Sequence, residues 1–302
     1  MTIAHDAPWR GVYTATALPF NDDLSVDFDA YGEHVRWQAQ MGVDGVCPNG
    51  SLGEYQTLTP EERARVVEVA MQAGGDGFGV MPGVAAYGSL EVARWIDQAA
   101  RAGAQSVLLL PPNSYRADRE TVVAHYRSAA QVGLPIVAYN NPHDTKVDLS
   151  PELLAELHAE GFIRAVKEFS GDVRRAYQIA ELAPDLDLLI GADDVLFELG
   201  VAGAVGWVAG YTNALPATAT HLYELTTSAD PSALGDALTI YRDLHSLLRW
   251  DSQTEFVQAI KLSMDVVGRK GGACRPPRGA LAPEAADRIR RDTEAALAKG
   301  YH

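Results

Sequence analysis

Two apolar runs of β type end on residues that can make and break bonds at a carbonyl carbon. Pro135-Ile-Val-Ala-Tyr139 ends on a phenol, and Ile163-Arg-Ala-Val-Lys167, one strand-and-helix unit later, ends on a primary amine. A lysine leaving a strand at the mouth of a closed sheet is partly desolvated, which lowers its pKa and raises the fraction of free amine. Free amine is what attack on a ketone requires. Judged by position alone the more ordinary reading leads: Lys167 snorkels to the rim or pairs with a carboxylate such as Glu168. Tyr139 can give and take the proton that moves as a carbinolamine collapses to an imine, provided its hydroxyl lies near Lys167. The alternative is a core tyrosine with a satisfied hydroxyl. A third element, Asn49-Gly-Ser-Leu-Gly-Glu54, follows another such run. Its glycines let backbone approach a ligand, its N–H groups can hold a carboxylate and Ser51 adds a hydroxyl, although a plain strand-to-helix connection reads the same way.

These residues need a frame that brings strand ends together. Short apolar runs alternate with longer amphipathic stretches at a period of roughly 25 to 30 residues, the pattern of parallel strands with crossover helices. Strands are expected at Gly11-Ala17, Gly45-Pro48, Phe78-Pro82, Ser106-Leu110, Pro135-Tyr139, Ile163-Lys167, Leu186-Ile190 and Ala204-Val208, and eight is the number that closes a (βα)8 TIM barrel, whose active site lies at the C-terminal strand ends. Helices are expected at Pro60-Ala73, opened by Thr59 as N-cap, and at Ser89-Ala102, Arg119-Gln131, Pro151-Glu160 and Val173-Leu182. Beyond Ala214 only helical segments follow, at Pro216-Thr227, Pro231-Trp250, Thr254-Val267 and Pro283-Lys299. The organisation expected is a barrel over 1–213 and a helical C-terminal extension over 214–302 packed on it.

Composition narrows the partners. The chain has 302 residues, 47% apolar and 22% charged, with 25 Lys and Arg against 40 Asp and Glu, a net charge of -15. That charge repels a phosphate backbone, so nucleic acid is not expected as a partner. Cys47 and Cys274 form no CxxC, and Met1 to Trp9 lacks a basic start and an apolar core, which favours a cytoplasmic protein. No run approaches the roughly 18 apolar residues of a membrane span. The histidines, among them His125, His221 and His245, show no metal-ligand spacing and read as packing or surface residues; no metal or other cofactor is called for. Asp193 and Asp194 read as the cap and first turn of a helix at Val195-Gly200. Trp207 and Tyr211 stand where they could line the pocket or pack the barrel.

Taken in order, the three elements resemble the dihydrodipicolinate synthase and N-acetylneuraminate lyase family. Gly50-Ser-Leu-Gly-Glu54 is similar to the family's glycine loop, Tyr139-Asn-Asn-Pro142 to its Tyr-Asn-x-Pro strand end, Lys167-Glu168 to its Lys-Glu end and Gly191-Ala-Asp-Asp194 to its Gly-x-Asp turn, a likeness that runs nearly the whole chain. The resemblance implies a class I mechanism in which Lys167 condenses with the ketone of pyruvate or a longer 2-oxo acid and the imine serves as electron sink. It implies that Gly50, Ser51 and the backbone at Leu52 hold the 2-oxo acid carboxylate, that Tyr139 shuttles protons with Ser51, and that Asn141 and Gly191 belong to the substrate pocket. It also implies a homotetramer, a dimer of dimers.

Departures from the pattern bear on the substrate. Asp144 aligns where the synthases carry an arginine for the second substrate's carboxylate, and an aspartate repels that group, so dihydrodipicolinate synthesis itself is not expected. Leu52 replaces a threonine of the proton relay. Pro112-Asn-Ser-Tyr115 stands where the synthases carry paired tyrosines, with Tyr115 the only phenol on offer. Aldol-type cleavage or condensation is the first reading; loss of water or ammonia from a sugar-derived 2-oxo acid or a hydroxypyrroline carboxylate uses the same imine. A non-catalytic sensor of 2-oxo or amino acids is the reading from another class, since a barrel alone guarantees no activity.

Overall fold

The computed structural model describes residues 7–113 and 115–302; Met1–Asp6 and Ser114 lie outside them. Eight parallel strands alternate with helices as the period requires: β1 Gly11–Ala15, β2 Gly45–Cys47, β3 Gly79–Val80, β4 Val107–Leu109, β5 Ile136–Asn140, β6 Ala165–Glu168, β7 Asp187–Ile190 and β8 Gly206–Ala209. The ladder runs β3-β2-β1-β8-β7-β6-β5-β4. Its two ends meet just past β3, where Leu108 donates its N–H to Pro82 at 2.9 Å and accepts from Val84 at 3.0 Å. The architecture is a (βα)8 TIM barrel, and Pro216–Thr226, Ala233–Leu248, Phe256–Val266 and Pro283–Ala298 form the helical C-terminal extension.

Local chemistry sets the helix ends. Before Pro60–Gly74, Thr59 accepts from the Glu62 N–H while Glu62 accepts from the Thr59 N–H, a reciprocal capping box. Ser89–Ala102 stops at Gly103, whose φ of 99° is open to a residue without Cβ. The helix Phe28–Gln40, absent from the segments expected above, is capped by Asp27, which accepts from the Ala30 N–H at 3.0 Å.

Successive side chains point to opposite faces of a strand. Val137 and Tyr139 of β5, Ala165 of β6, Leu189 of β7 and Val208 of β8 pack together inside the barrel, whereas Ile136, Ala138, Val166, Ile190 and Trp207 pack into the layer that includes the outer helices. Two residues on from Ala165, Lys167 therefore shares the interior face. Among the described residues no helix is long and apolar enough to cross a membrane.

His34, 2% exposed, lies on the Phe28–Gln40 helix and meets the turn after β8. Its Nε2 lies 3.0 Å from the Asn213 amide oxygen, so the neutral ring donates there, and burial pushes its pKa down to about 4. A histidine held below its unfolded value of about 6.5 gives stability that is complete above that value and lost as pH falls toward 4. His34→Gln is expected to flatten the fall in urea-unfolding free energy between pH 7 and 4 by roughly 3 kcal/mol; an unchanged slope would remove the assignment.

Candidate active site

The β5–β6 register places Tyr139 directly opposite Lys167. Both side chains line one cavity of about 660 Å³ at the C-terminal strand ends, with Cys47 of β2 and Val208 of β8. Lys167 is 5% exposed, and its Nζ lies 4.3 Å from the centre of the Tyr139 ring and 5.7 Å from that of Phe169. Burial lowers its pKa, opposed by negative charge on the Asp251 and Asp193 pair. Burial likewise holds the Tyr139 phenol protonated well above its ordinary range.

Pairing of Lys167 with Glu168 does not occur. Glu168 is on the other face of β6, where it accepts from Asn140 Nδ2 at 2.9 Å and from the Ser170 N–H. The lysine thus faces the cavity, enclosed largely by aromatic and apolar groups, while the neighbouring carboxylate turns to a separate polar cluster.

Gly50, Ser51 and Leu52 of the glycine loop line the same cavity. The loop is anchored behind its ligand face. Glu54, in the left-handed region at φ 53°, is 1% exposed and accepts from Lys261 Nζ at 2.8 Å and from the Arg275 N–H at 2.9 Å. Lys261 is fully buried and also donates to Ala273 O. The C-terminal extension therefore holds the loop through a buried ion pair.

Asn141 and Asp144 line the cavity from the turn after β5. Asn141 caps the short helix Pro142–Thr145, accepting from the Asp144 N–H at 3.2 Å and donating to its carboxylate at 3.0 Å and to the Tyr139 hydroxyl at 3.4 Å. Asp144 is thereby fixed toward the cavity.

Three residues expected at the pocket are not among those that line this cavity. Trp207 is wholly buried on the outer face of β8, its indole N–H given to Asp193 at 3.0 Å. Gly191 is a close backbone approach: a Cβ there would lie 2.3 Å from Glu168 O. Tyr115 is 56% exposed and outside this chain's cavity, and its neighbour Ser114 lies outside the described residues. Asp193 is not a helix cap either. Fully buried, it accepts from Trp207 Nε1 and from the N–H groups of Gly210 and Tyr211, while its own N–H goes to Asp251 at 3.2 Å.

Asp251 and Tyr55 line the cavity without having been singled out in the sequence, and Asn113 and Arg278 line it as well. Asn113 donates to the Tyr55 hydroxyl at 3.2 Å, and the Arg63 guanidinium lies 5.2 Å from the Tyr55 ring centre. Asp251 and Arg278 belong to the extension, where a rule that searches strand ends does not look. The only pointer to Asp251 was its place in the polar break between two apolar helices.

The model of the dihydrodipicolinate synthetase family matches residues 8–296. An uncharacterised DapA-like lyase of Rhizobium meliloti is 30% identical over 270 residues, covering 89% of this chain and 90% of that protein. A 4-hydroxy-tetrahydrodipicolinate synthase of Gluconacetobacter diazotrophicus is 30% identical over 288 residues, 93% and 95% of the two chains. Among solved structures, the 4-hydroxy-tetrahydrodipicolinate synthase of Methylacidiphilum fumariolicum SolV superposes with a TM-score of 0.90 at 26% identity, covering 96% of this chain and 97% of that one.

Proposed function

From the premise that the chain belongs to the dihydrodipicolinate synthetase family and is a lyase, we propose that Lys167 forms a Schiff base with a 2-oxo acid, pyruvate or a longer hydroxylated one. The observation that carries this is the buried amine of Lys167 facing, across one ladder pair, the phenol of Tyr139 at a shared cavity. A depressed pKa keeps more of the amine free at neutral pH than an exposed lysine has. The amine attacks the ketone carbon, Tyr139 and Ser51 relay the proton that lets hydroxide leave as water, and the iminium then accepts electrons from a bond to C3. The N–H groups about Gly50 and Leu52 receive the carboxylate.

With these groups alone the reaction is aldol-type cleavage or condensation. Asp144, fixed toward the cavity by Asn141, opposes a second carboxylate, which speaks against dihydrodipicolinate synthesis and for a hydroxylated distal end. A second reading, loss of water or ammonia with the carbon chain intact, is favoured by the further acidic side chain Asp251 on the wall. In the family's manner we extend the reading to a homotetramer, in which exposed Tyr115 would meet a neighbouring chain.

Borohydride added with pyruvate, and separately with longer 2-oxo acids, is expected to fix one ligand per chain on Lys167, read by intact mass and peptide mapping. No adduct with any of them would end the proposal.

A further inference from the structure

Asp251 is a carboxyl group that the extension delivers to the barrel. It lies in the turn Arg249–Ser252, and that turn reaches the end of β8 only because position 210 is glycine: a Cβ there would stand 2.5 Å from Asp251 Oδ1. The side chain is 7% exposed and lines the cavity that holds Lys167 and Tyr139. Lys167, Asp193, Asp194, Tyr139 and Tyr211 are the titratable groups that couple to it.

Hydrogen bonding distinguishes the two neighbouring carboxyls. Asp193 is held by the indole N–H of Trp207 and the backbone N–H groups of Gly210 and Tyr211, which favour its ionised form. Asp251 receives one backbone N–H, that of Asp193, and faces the charge of Asp193 in a buried setting. Of the two, Asp251 is therefore the one that holds a proton the more tightly.

A 4-hydroxy-2-oxo acid bound as an imine has two fates, decided at the oxygen on C4. In cleavage that hydroxyl gives up its proton, the C3–C4 bond breaks and its electrons enter the iminium. In elimination C3 loses a proton to form the enamine; the nitrogen pair then re-forms C2=N, a C3=C4 double bond forms and the C4–O pair departs. That oxygen leaves as water only if an acid protonates it. C–H and C–O bonds break, one C=C bond and one water form, and the proton taken from C3 restores the one donated, so no redox partner enters.

We infer that Asp251 is a second catalytic proton donor in this site, acting on the leaving oxygen at C4, and that the chain eliminates water from a 4-hydroxy-2-oxo acid. The inference rests on the imine reading, and the imine and the elimination are measured separately.

The probes are 4-hydroxy-2-oxopentanoate and its 4,5-dihydroxy and 4,5,6-trihydroxy chain-extended homologues, with products read by mass. Water loss without pyruvate release is expected. In Asp251→Asn, elimination should fall about 100-fold or more, while borohydride trapping of pyruvate on Lys167 and exchange of the pyruvate methyl hydrogens in deuterium oxide stay within a few-fold. Wild-type kcat for elimination should decline as pH rises and Asp251 loses its proton, with no matching decline in exchange; this comparison needs no folded variant. Pyruvate as the main product, undiminished elimination in Asp251→Asn, or trapping that falls in step with elimination would each overturn the assignment. Wild-type protein that traps no 2-oxo acid would instead remove the imine on which it stands.

Discussion

Lys167→Ala lowers turnover by about 10³-fold or more, the expected consequence of losing a covalent nucleophile. The informative comparator is Lys167→Arg, which keeps a cation at the strand end but offers no nucleophilic amine at working pH. Both variants should be equally inactive if imine formation is the lysine's task, and Lys167→Arg should recover activity if only positive charge is needed. Borohydride adds no mass in either case. Binding of 2-oxo acid that survives Lys167→Ala unchanged, together with an absence of wild-type turnover on a broad panel, would point to a sensor.

Lys261→Met is expected to cost about 3–5 kcal/mol of unfolding free energy, because it strands the Glu54 carboxylate in the interior with only the Arg275 N–H for compensation. Glu54→Met combined with Lys261→Met should recover more than half of that loss, since a paired ion replaced by packed apolar groups leaves no uncompensated charge. Urea midpoints of the wild type, both single variants and the double variant give the coupling directly. Additive losses would mean that the two side chains act independently. The same lesion should raise the KM for the 2-oxo acid more than it lowers kcat, because Glu54 sits at the end of the loop that carries Ser51 and Leu52 and not at the reacting carbon.

The barrel was legible because its strands are apolar on both faces and its helices carry local start and stop signals. Thr59 and Gly103 mark helix ends in the sequence as they do in the structure. Lys167 and Tyr139 could be read for the same reason: each ends a strand, and strand ends of adjacent units face a common mouth. Alternation along a strand was the information left unused. Applied to β8, it turns Val208 inward and Trp207 outward, which removes Trp207 from the pocket. Asp193 was misread because Asp before a short helix is the usual sign of a cap, whereas its burial against Trp207 and Tyr211 depends on contacts between separate segments of chain. Asp251 and Lys261 lie farther still from local pattern. Asp251 occupies the short turn between two helices and Lys261 a helix, and each acquires its role from a partner reached only by the folded extension, Asp193 for one and Glu54 for the other.

The anchoring of the glycine loop has a bearing on how the chain is made. A ribosome that has released everything through β8 has already delivered the eight strands, Lys167 and Tyr139, yet Asp251, Lys261 and Arg275 have still to emerge. Until they do, Glu54 lacks its counter-ion and the cavity lacks one wall. The buried amine of Lys167, for which imine formation is proposed, is thus not set in its working surroundings on nascent chains. Synthesis order itself acts as a timer, and the site waits for the extension to emerge.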